Sequence, residues 1–530
     1  MQDMSAAPRT HRRLGPPAAS PQAVAEVVTL LPADFRRRDL LIENLHLLQD
    51  RFGGLYRRHL AALAEEMRLA PAEVQEVASF YAHFRLPGDD EAPPGMVVRR
   101  CTGPACAMRS LDLSALPEGV VVEDAPCMGL CDHAPAALAG RVPVRSADAA
   151  KVLAARPSPV SVPSHDYPVL RRCLSGELTR DGAMEELNAA ALRGMGGAGF
   201  PTSRKWRAVA ARPGPRVVVV NADEGEPGTF KDRFFLETAA PLVLEGALLA
   251  AWAVEADEVY LYLRDEYSDL RPLLAGLIRE LPGDVPVHLR RGAGAYVCGE
   301  ESALIESLEG KRGLPRQRPP YVAEVGLFGR PTLVNNVETL YWTARILAEG
   351  AGLFAGVGRN GHHGWRTYSV SGRVREPGVK IAPNGLTIRE LIDEFCGGME
   401  DGHVLSAYLP GGASGGFLPA RLTPPLAFGA IEEHGGFIGS AAVVVFSQAD
   451  DLKAVALDLA RFFAHESCGQ CTPCRVGTAK SVELLGRPAW DAGLLGDLGR
   501  VMRDASICGL GQAAPNVWQS LLRHFPELAP

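Results

Sequence analysis

The sequence predicts a multidomain α/β protein, with helical segments at both ends, an alternating strand–helix domain in the middle and a β-rich stretch behind it. Three observations carry this reading. The chain has 530 residues, too many for one ordinary hydrophobic core. Apolar residues recur at helical spacing over residues 22–86 and again from 450 onward. Between them, apolar runs such as RVVVVNA and DEVYLYL alternate with helical segments, the pattern of an α/β sheet.

The elements follow in order. Residues 1–20 are rich in Pro, Ala and Arg and lack the apolar stretch of a secretory signal, so a flexible tail is expected; prolines and Asp3 disfavour a transit peptide. Residues 21–90 carry four helical patterns, the last opening with Pro71 at a first-turn position. Residues 91–155 hold short strands, MVVRRC and GVVVEDA, each running into a pair of cysteines. The proline-rich stretch 156–178 reads as an extended linker. Residues 179–355 form the α/β domain, 356–445 the β-rich segment with one helix, TIRELIDEFC, and 446–530 a helical C-terminal region. The apolar run 241–253 is interrupted by Glu245 and is too short to span a bilayer; a buried helix is expected there.

The net charge of −7 and the absence of a basic stripe exclude a nucleic-acid partner. Cysteines at tight spacings point to metal before disulfides and to a cytoplasmic setting. Eight of the eleven cysteines form two sets of four: Cys101, Cys106, Cys127 and Cys131, then Cys468, Cys471, Cys474 and Cys508. Three cysteines at three-residue intervals plus a distant fourth suit a 4Fe-4S cluster, because its irons take soft thiolate ligands. The first set is two pairs, so zinc is a fairer rival there. Its x4 and x3 spacings, with Gly103 and Gly129 freeing backbone amides for sulfur, favour a 2Fe-2S cluster. Cys173, Cys298 and Cys396 read as packing residues.

The run Gly194-Met195-Gly196-Gly197-Ala198-Gly199-Phe200 contains G-x-G-x-x-G but follows a helix rather than a strand, so it is not the dinucleotide fingerprint. Its glycines still let a backbone approach a planar or phosphorylated ligand. Asn221, Asp223, Glu224 and Glu226 follow an apolar strand, where α/β sheets bind ligands; the bland alternative is a solvated acidic loop. Gly299, Glu300, Glu301, Asn335 and Asn336 add polar groups near glycines. Lys311, Arg312, Arg316 and Arg318 form a basic run beside Tyr321 that suits a pyrophosphate, or an ordinary exposed loop.

The stretches RGMGGAGFPTSRKW, NADEGEPGTFKDR, CGEESALIESLEGKRG, PTLVNNVET and ESCGQCTPCRVGT resemble the 51 kDa-type flavoprotein family of respiratory complex I. That family includes the diaphorase subunits of NAD-reducing hydrogenases and of NAD-dependent formate dehydrogenases. The first 150 residues resemble the 24 kDa-type subunit, a thioredoxin-like 2Fe-2S domain with a helical lead-in, here fused to the larger module. The resemblance implies a Rossmann-like FMN and NAD domain, a ubiquitin-like SLBB β-grasp module and a C-terminal helical bundle carrying a 4Fe-4S cluster. It implies FMN contacts from Gly194, Gly196, Gly197, Gly199, Lys205, Asn221, Asp223, Gly299, Glu300, Asn335 and Asn336. NAD(H) contacts would come from Phe200, Glu224, Glu226, Glu301 and Tyr321. No side chain is expected to act as acid or base, since hydride passes between nicotinamide and flavin.

Met195, Ala208, Arg318 and Tyr321 depart from the common complex I residues. The fused layout, the cysteine-triplet wording and Met195 resemble the formate dehydrogenase branch, whose partner is a large molybdenum- or tungsten-pterin iron–sulfur subunit. Glu226 and Glu301 are expected near the adenosine ribose, where their charge would repel the 2′-phosphate of NADP.

Overall fold

The structure, a computed structural model, describes residues 19–528 and divides into two compact units, before and after residue 93/94. The expected N-terminal tail lies outside the described residues except for its last two. Of these, Ser20 caps the first helix by accepting from the Ala23 amide.

Among its described residues the first unit holds four α-helices: α1 (Pro21–Leu30), α2 (Leu41–Phe52), α3 (Arg57–Met67) and α4 (Pro71–Phe80). Pro21 and Pro71 stand in the first turns, where a missing N–H costs nothing. The helices bury Leu45, Leu48, Leu60, Leu63 and Val74.

The second unit opens with a small sheet of β1 (Met96–Cys101), β2 (Val120–Ala125), β3 (Ala137–Ala139) and β4 (Val142–Val144), in the order β2-β1-β3-β4. β1 and β2 are parallel, with Cys101 opposite Ala125. Both cysteine loops therefore leave the sheet at the same edge.

The segment 156–178 is not extended throughout: it contains α5 (Pro168–Leu174). Proline at the first helical position hid this helix. Its amide ends at Val169 and Leu170 donate to the buried Glu245 carboxylate, which also bonds His165 at 2.7 Å. This explains the acid inside the apolar run.

The central domain adds α6 (Arg180–Ala189), α7 (Thr202–Ala210), β5 (Arg216–Ala222), α8 (Lys231–Val254), β6 (Ala256–Leu263), α9 (Leu270–Arg279), β7 (Val287–Arg291), α10 (Glu301–Leu308), β8 (Thr332–Asn336) and α11 (Val337–Glu349). α8 is long and apolar enough to cross a membrane, but most of it is buried, as expected for 241–253. It kinks at Ala239, just before Pro241. The four strands are parallel in the order β7-β6-β5-β8. From β5 the chain moves one way to β6 and β7, then returns to place β8 on β5's other side. Strand order reverses between β5 and β8, and the crevice beyond their carboxyl ends is where such sheets take ligands.

A five-stranded sheet follows: β9 (Trp365–Gly372), β10 (Gly378–Pro383), β11 (Leu405–Leu409), β12 (Leu418–Pro419) and β13 (Ala442–Ser447), in the order β10-β9-β13-β11-β12. The expected helix, Ile388 to Phe395, packs into its core through Leu391 and Ile392. The C-terminal region is helical: α12 (Leu452–Glu466), α13 (Thr472–Leu485), α14 (Ala492–Ala505) and α15 (Asn516–His524).

Candidate functional site

A cleft of 820 Å³ opens at the β5/β8 crevice, within the about 300–1,000 Å³ usual for cofactor sites. Its wall holds Gly194, Gly196, Gly199, Phe200, Lys205, Asn221, Gly299, Glu300, Glu301, Tyr321, Asn335 and Asn336. These come from five separate segments of chain. The glycine loop lies between α6 and α7, tied down by Gly194 N–H donating to Phe200 O and Met195 N–H donating to Thr339 Oγ1. A Cβ on Gly196 would stand 3.2 Å from Asn336 Cβ, and one on Gly199, at φ +65°, would strike the Phe428 ring at 2.8 Å. Gly199 therefore requires glycine, while a side chain at Gly196 would need Asn336 to give by a few tenths of an ångström. Gly197 is not in the cleft wall and backs onto Gly439 and Ser440 of the β-rich module.

The polar groups are individually positioned. Trp206 Nε1 donates to Asn335 Oδ1 at 2.9 Å, and Asn221 Nδ2 donates to Gly299 O at 2.9 Å. Asn336 accepts from the Glu338 amide as the cap of α11 and donates to Asp232 Oδ2 at 2.6 Å. Glu300 caps α10 by accepting from the Ser302 and Ala303 amides, and pairs with Arg318. Lys205 pairs with Glu301 at 2.9 Å. Burial pushes the Glu301 carboxyl up, but the Lys205 charge, its hydrogen bond and Arg318 outweigh this and hold it below the usual range. Phe200 and Tyr321 are 50% and 55% exposed at the cleft, with the Arg204 guanidinium over the Phe200 ring at 5.7 Å. Of the basic run, Arg316 and Arg318 reach the cleft, and Lys311 and Arg316 pair with Glu306 and Glu309.

Three of the acidic residues following β5 stand outside the cleft wall. Glu224 is buried and accepts from the Asp232 and Arg233 amides at 2.7 and 3.1 Å, capping α8, and from Tyr267 Oη at 2.7 Å. Glu226 accepts from Tyr296 Oη and from the Ser414 amide at 2.7 Å, bracing the 411–416 loop of the β-rich module. The expectation that Glu226 faces the ribose is therefore corrected: the Ser414 amide and hydroxyl and the Tyr296 hydroxyl hold it inward, and Glu301 alone of that pair lines the cleft. Asp223 sits directly behind Gly299.

Asp223 Oδ2 is buried without a partner, and burial raises this carboxyl to about 8. A buried neutral acid beside the crevice suits a ligand group that would complete its bonding. It also has a pH signature. The folded protein holds this proton between the ordinary aspartate value and about 8, so flavin-free protein loses stability as pH rises through that window. Asp223→Asn is expected to stabilise the flavin-free protein at pH 8 by at least about 2 kcal/mol. The gain should vanish near pH 4 (roughly the unperturbed aspartate value) in denaturant titrations. A difference independent of pH would contradict the assignment.

Sequence reasoning missed one wall of the cleft: Ile507, Cys508, Gly509 and Gln512 also line it. Cys508 precedes the short helix Gly509–Ala513, while Cys474 lies in the first turn of α13. A Cβ on Gly511 would stand 2.8 Å from Cys474 Cβ, so the two segments touch. Burial raises the Cys474 and Cys508 thiols to about 11 and about 12, and Cys468 and Cys474 both push Cys508 further up. Gathered thiols that resist ionisation in the protein alone are what iron would stabilise as thiolates.

The first set is wholly buried. The Sγ atoms of Cys127 and Cys131 are 3.2 Å apart, and Cys101 is within hydrogen-bond reach of Cys106 and Cys127. Hydrogen bonds from Cys101 and Cys131, then from the Gly228 and Gly129 amides, hold the Cys127 thiol well below its usual value. The Gly103 amide donates to Cys101 Sγ at 3.4 Å, so both loop glycines supply the expected amides. Among the described residues, no three His, Cys, Asp or Glu side chains close around a point suited to a single ion.

Four family descriptions match the chain. They are a thioredoxin-like [2Fe-2S] ferredoxin over 24–115, the Nuo51 FMN-binding domain over 187–345, an SLBB domain over 367–418 and the NADH-ubiquinone oxidoreductase-F iron–sulfur binding region over 454–529. The first match stops before Cys127 and Cys131. The chain is 40% identical over 377 residues to the mitochondrial NADH dehydrogenase [ubiquinone] flavoprotein 1 of Dictyostelium discoideum, covering 66% of this chain and 78% of that protein. It is 40% identical over 376 residues to the mitochondrial NADH-ubiquinone oxidoreductase 51 kDa subunit of Neurospora crassa, covering 66% of this chain and 76% of that one. A crystal structure of NAD+-reducing [NiFe]-hydrogenase contains a chain 35% identical to this one, with a TM-score of 0.79, matching 93% of this chain and 92% of the other. The family matches and these likenesses define an oxidoreductase subunit that binds NADH, FMN, a 2Fe-2S cluster and a 4Fe-4S cluster. The chain belongs to the 51 kDa flavoprotein family of NADH-ubiquinone oxidoreductases and carries a 24 kDa-like 2Fe-2S domain in the same polypeptide.

Proposed function

We propose that the chain is the diaphorase subunit of an NAD-dependent formate dehydrogenase. Formate would be oxidised on a separate molybdenum- or tungsten-pterin iron–sulfur subunit of the alpha type, and NAD+ reduced here: formate + NAD+ = CO2 + NADH. The observation that carries the electron-transfer reading is Cys508, which belongs to the C-terminal thiolate set and also lines the cleft. FMN, when bound, exchanges hydride with nicotinamide and single electrons with iron–sulfur clusters.

The chain's own residues do the rest. The glycine loop and Asn221, Asn335 and Asn336 hold the flavin; Phe200 and Tyr321 offer stacking faces at the mouth; Cys468, Cys471, Cys474 and Cys508 hold the 4Fe-4S cluster. Cys101, Cys106, Cys127 and Cys131 hold the 2Fe-2S cluster. Glu301 stays ionised and disfavours a 2′-phosphate. Glu301→Gln is accordingly expected to raise the NADPH-to-NADH ratio of kcat/KM on the order of tenfold, while Glu226→Gln leaves that ratio unchanged. Equal ratios in wild type and Glu301→Gln would remove Glu301 from nucleotide selection.

The fused layout, the ESCGQCTPCRVGT wording and Met195 support the formate branch. A second reading, the diaphorase subunit of an NAD-reducing hydrogenase, is favoured by the near full-length likeness to the hydrogenase chain. Tagging the chain and purifying its native complex separates them. Formate-dependent NAD+ reduction with bound molybdenum or tungsten supports the first; hydrogen-dependent reduction with bound nickel overturns it.

A further inference from the structure

The 2Fe-2S loop is fastened to the flavin side of the molecule through a small buried group of side chains that neither cofactor site uses as a ligand. Arg264 and Tyr267 lie just beyond the end of β6 and are buried. Arg264 Nη2 donates to the carbonyl of Cys127 at 2.9 Å, and Nη1 donates to the carbonyl of Glu224, the residue after Asp223. Its counter-ion is Glu266, at 2.5 Å. Tyr267 Oη donates to the Glu224 carboxylate. Tyr267 also fills the space beside Gly129, where a Cβ would stand 3.0 Å from the ring and nearer still to the hydroxyl. Arg233 completes the grip, with Nε on Gly129 O at 2.9 Å and Nη2 on Asp132 at 2.7 Å.

One guanidinium thus bonds both a peptide of the Cys127 loop and a peptide of the acidic loop that follows β5. In the interior a unit charge acts over several ångströms with little screening. A cation held against the Cys127 carbonyl favours the cluster state that carries one more electron. Glu266, bonded to Nε and to the same Nη2 that meets the Cys127 carbonyl, opposes this and moderates it.

We infer that Arg264 is a positioning residue that raises the reduction potential of the 2Fe-2S site and fixes its cysteine loop relative to the flavin loop. The inference rests on the assignment of Cys101, Cys106, Cys127 and Cys131 as cluster ligands. Lysine at this position would keep the charge but could not span both carbonyls as the planar fork does.

The test is an EPR-monitored redox titration of the cofactor-loaded full chain. In the charge-balanced double variant Arg264→Met/Glu266→Gln, the reduced-to-oxidised ratio of the 2Fe-2S signal at a fixed potential is expected to fall about tenfold, equivalent to about 59 mV for one electron. Arg264→Lys should recover most of the loss, while Glu266→Gln alone, which keeps both carbonyl bonds, should shift the ratio upward. The 4Fe-4S signal should titrate unchanged throughout. If the double variant fails to load its cluster, Glu266→Gln still decides the matter. Unshifted 2Fe-2S potentials, or equal shifts at both clusters, would overturn the inference. A wild-type protein with no 2Fe-2S signal would instead overturn the ligand assignment.

Discussion

Gly246→Ala is expected to unfold the central domain at temperatures where the parent protein is intact. Gly246 lies mid-way along α8 where that helix crosses α11. A Cβ there would stand 2.7 Å from the Leu340 carbonyl carbon and closer still to its oxygen. The obstacle is backbone within a helix that follows directly on β8, so relief requires moving α11 and, with it, Asn336 at the flavin cleft. Overpacking against a side chain costs about 1–3 kcal/mol; against fixed backbone the cost should reach at least about 3 kcal/mol, a fall in Tm on the order of 10 °C. Gly276→Ala, in α9, is the control. Its Cβ would meet only Arg279 Nη2 at 3.9 Å, so the better helix former should stabilise by about 0.5–1 kcal/mol. Opposite signs from one substitution type would tie the effect to the α8–α11 crossing. A Gly246→Ala protein melting with the parent would show that the helices do not approach this closely.

Cys508→Ser should separate the two halves of the activity. Serine keeps the volume but removes the thiolate, and loss of even an outer partner of a metal ligand costs about 10–100-fold, so loss of a ligand should exceed about 100-fold. The 4Fe-4S EPR signal and electron exchange with the partner subunit should both disappear, while NADH still reduces flavin and ferricyanide. Retention of the full 4Fe-4S signal would remove Cys508 from the ligand set.

The parts of this architecture that were legible in the sequence share a property: their chemistry is written in residue type and spacing together. The cysteine triplet, the paired cysteines at strand ends and the glycine run each constrain geometry locally. β8 was not legible, because Thr332–Asn336 is short and ends in two asparagines, which read as loop until β5 supplies its partner. The helix Pro168–Leu174 was hidden by the prolines around it. Glu224 and Glu226 were read as ligand-facing because an acidic loop after a buried strand so often is. Their true partners, the α8 amides, Tyr267, Tyr296 and Ser414, are distant in sequence or belong to helix ends that composition does not announce. Lys231 went unassigned in the sequence; it is buried beside Asp232 and Glu338, whose charges keep it protonated against the cost of burial. The two acids next to it in NADEGEPGTFKDR and NNVET were the available signal.

In the proposed function, one cleft joins a nicotinamide to inorganic clusters through a flavin. Anaerobic titration of the purified, cofactor-loaded protein with NADH, followed together by visible absorbance and low-temperature EPR, tests this most directly. NADH is expected to bleach a yellow flavin chromophore and to bring up a reduced-cluster EPR signal in the same titration, with Cys508→Ser losing the 4Fe-4S contribution alone. Protein that binds no flavin, or whose clusters stay oxidised while its flavin is fully reduced at potentials that reduce them chemically, would contradict it.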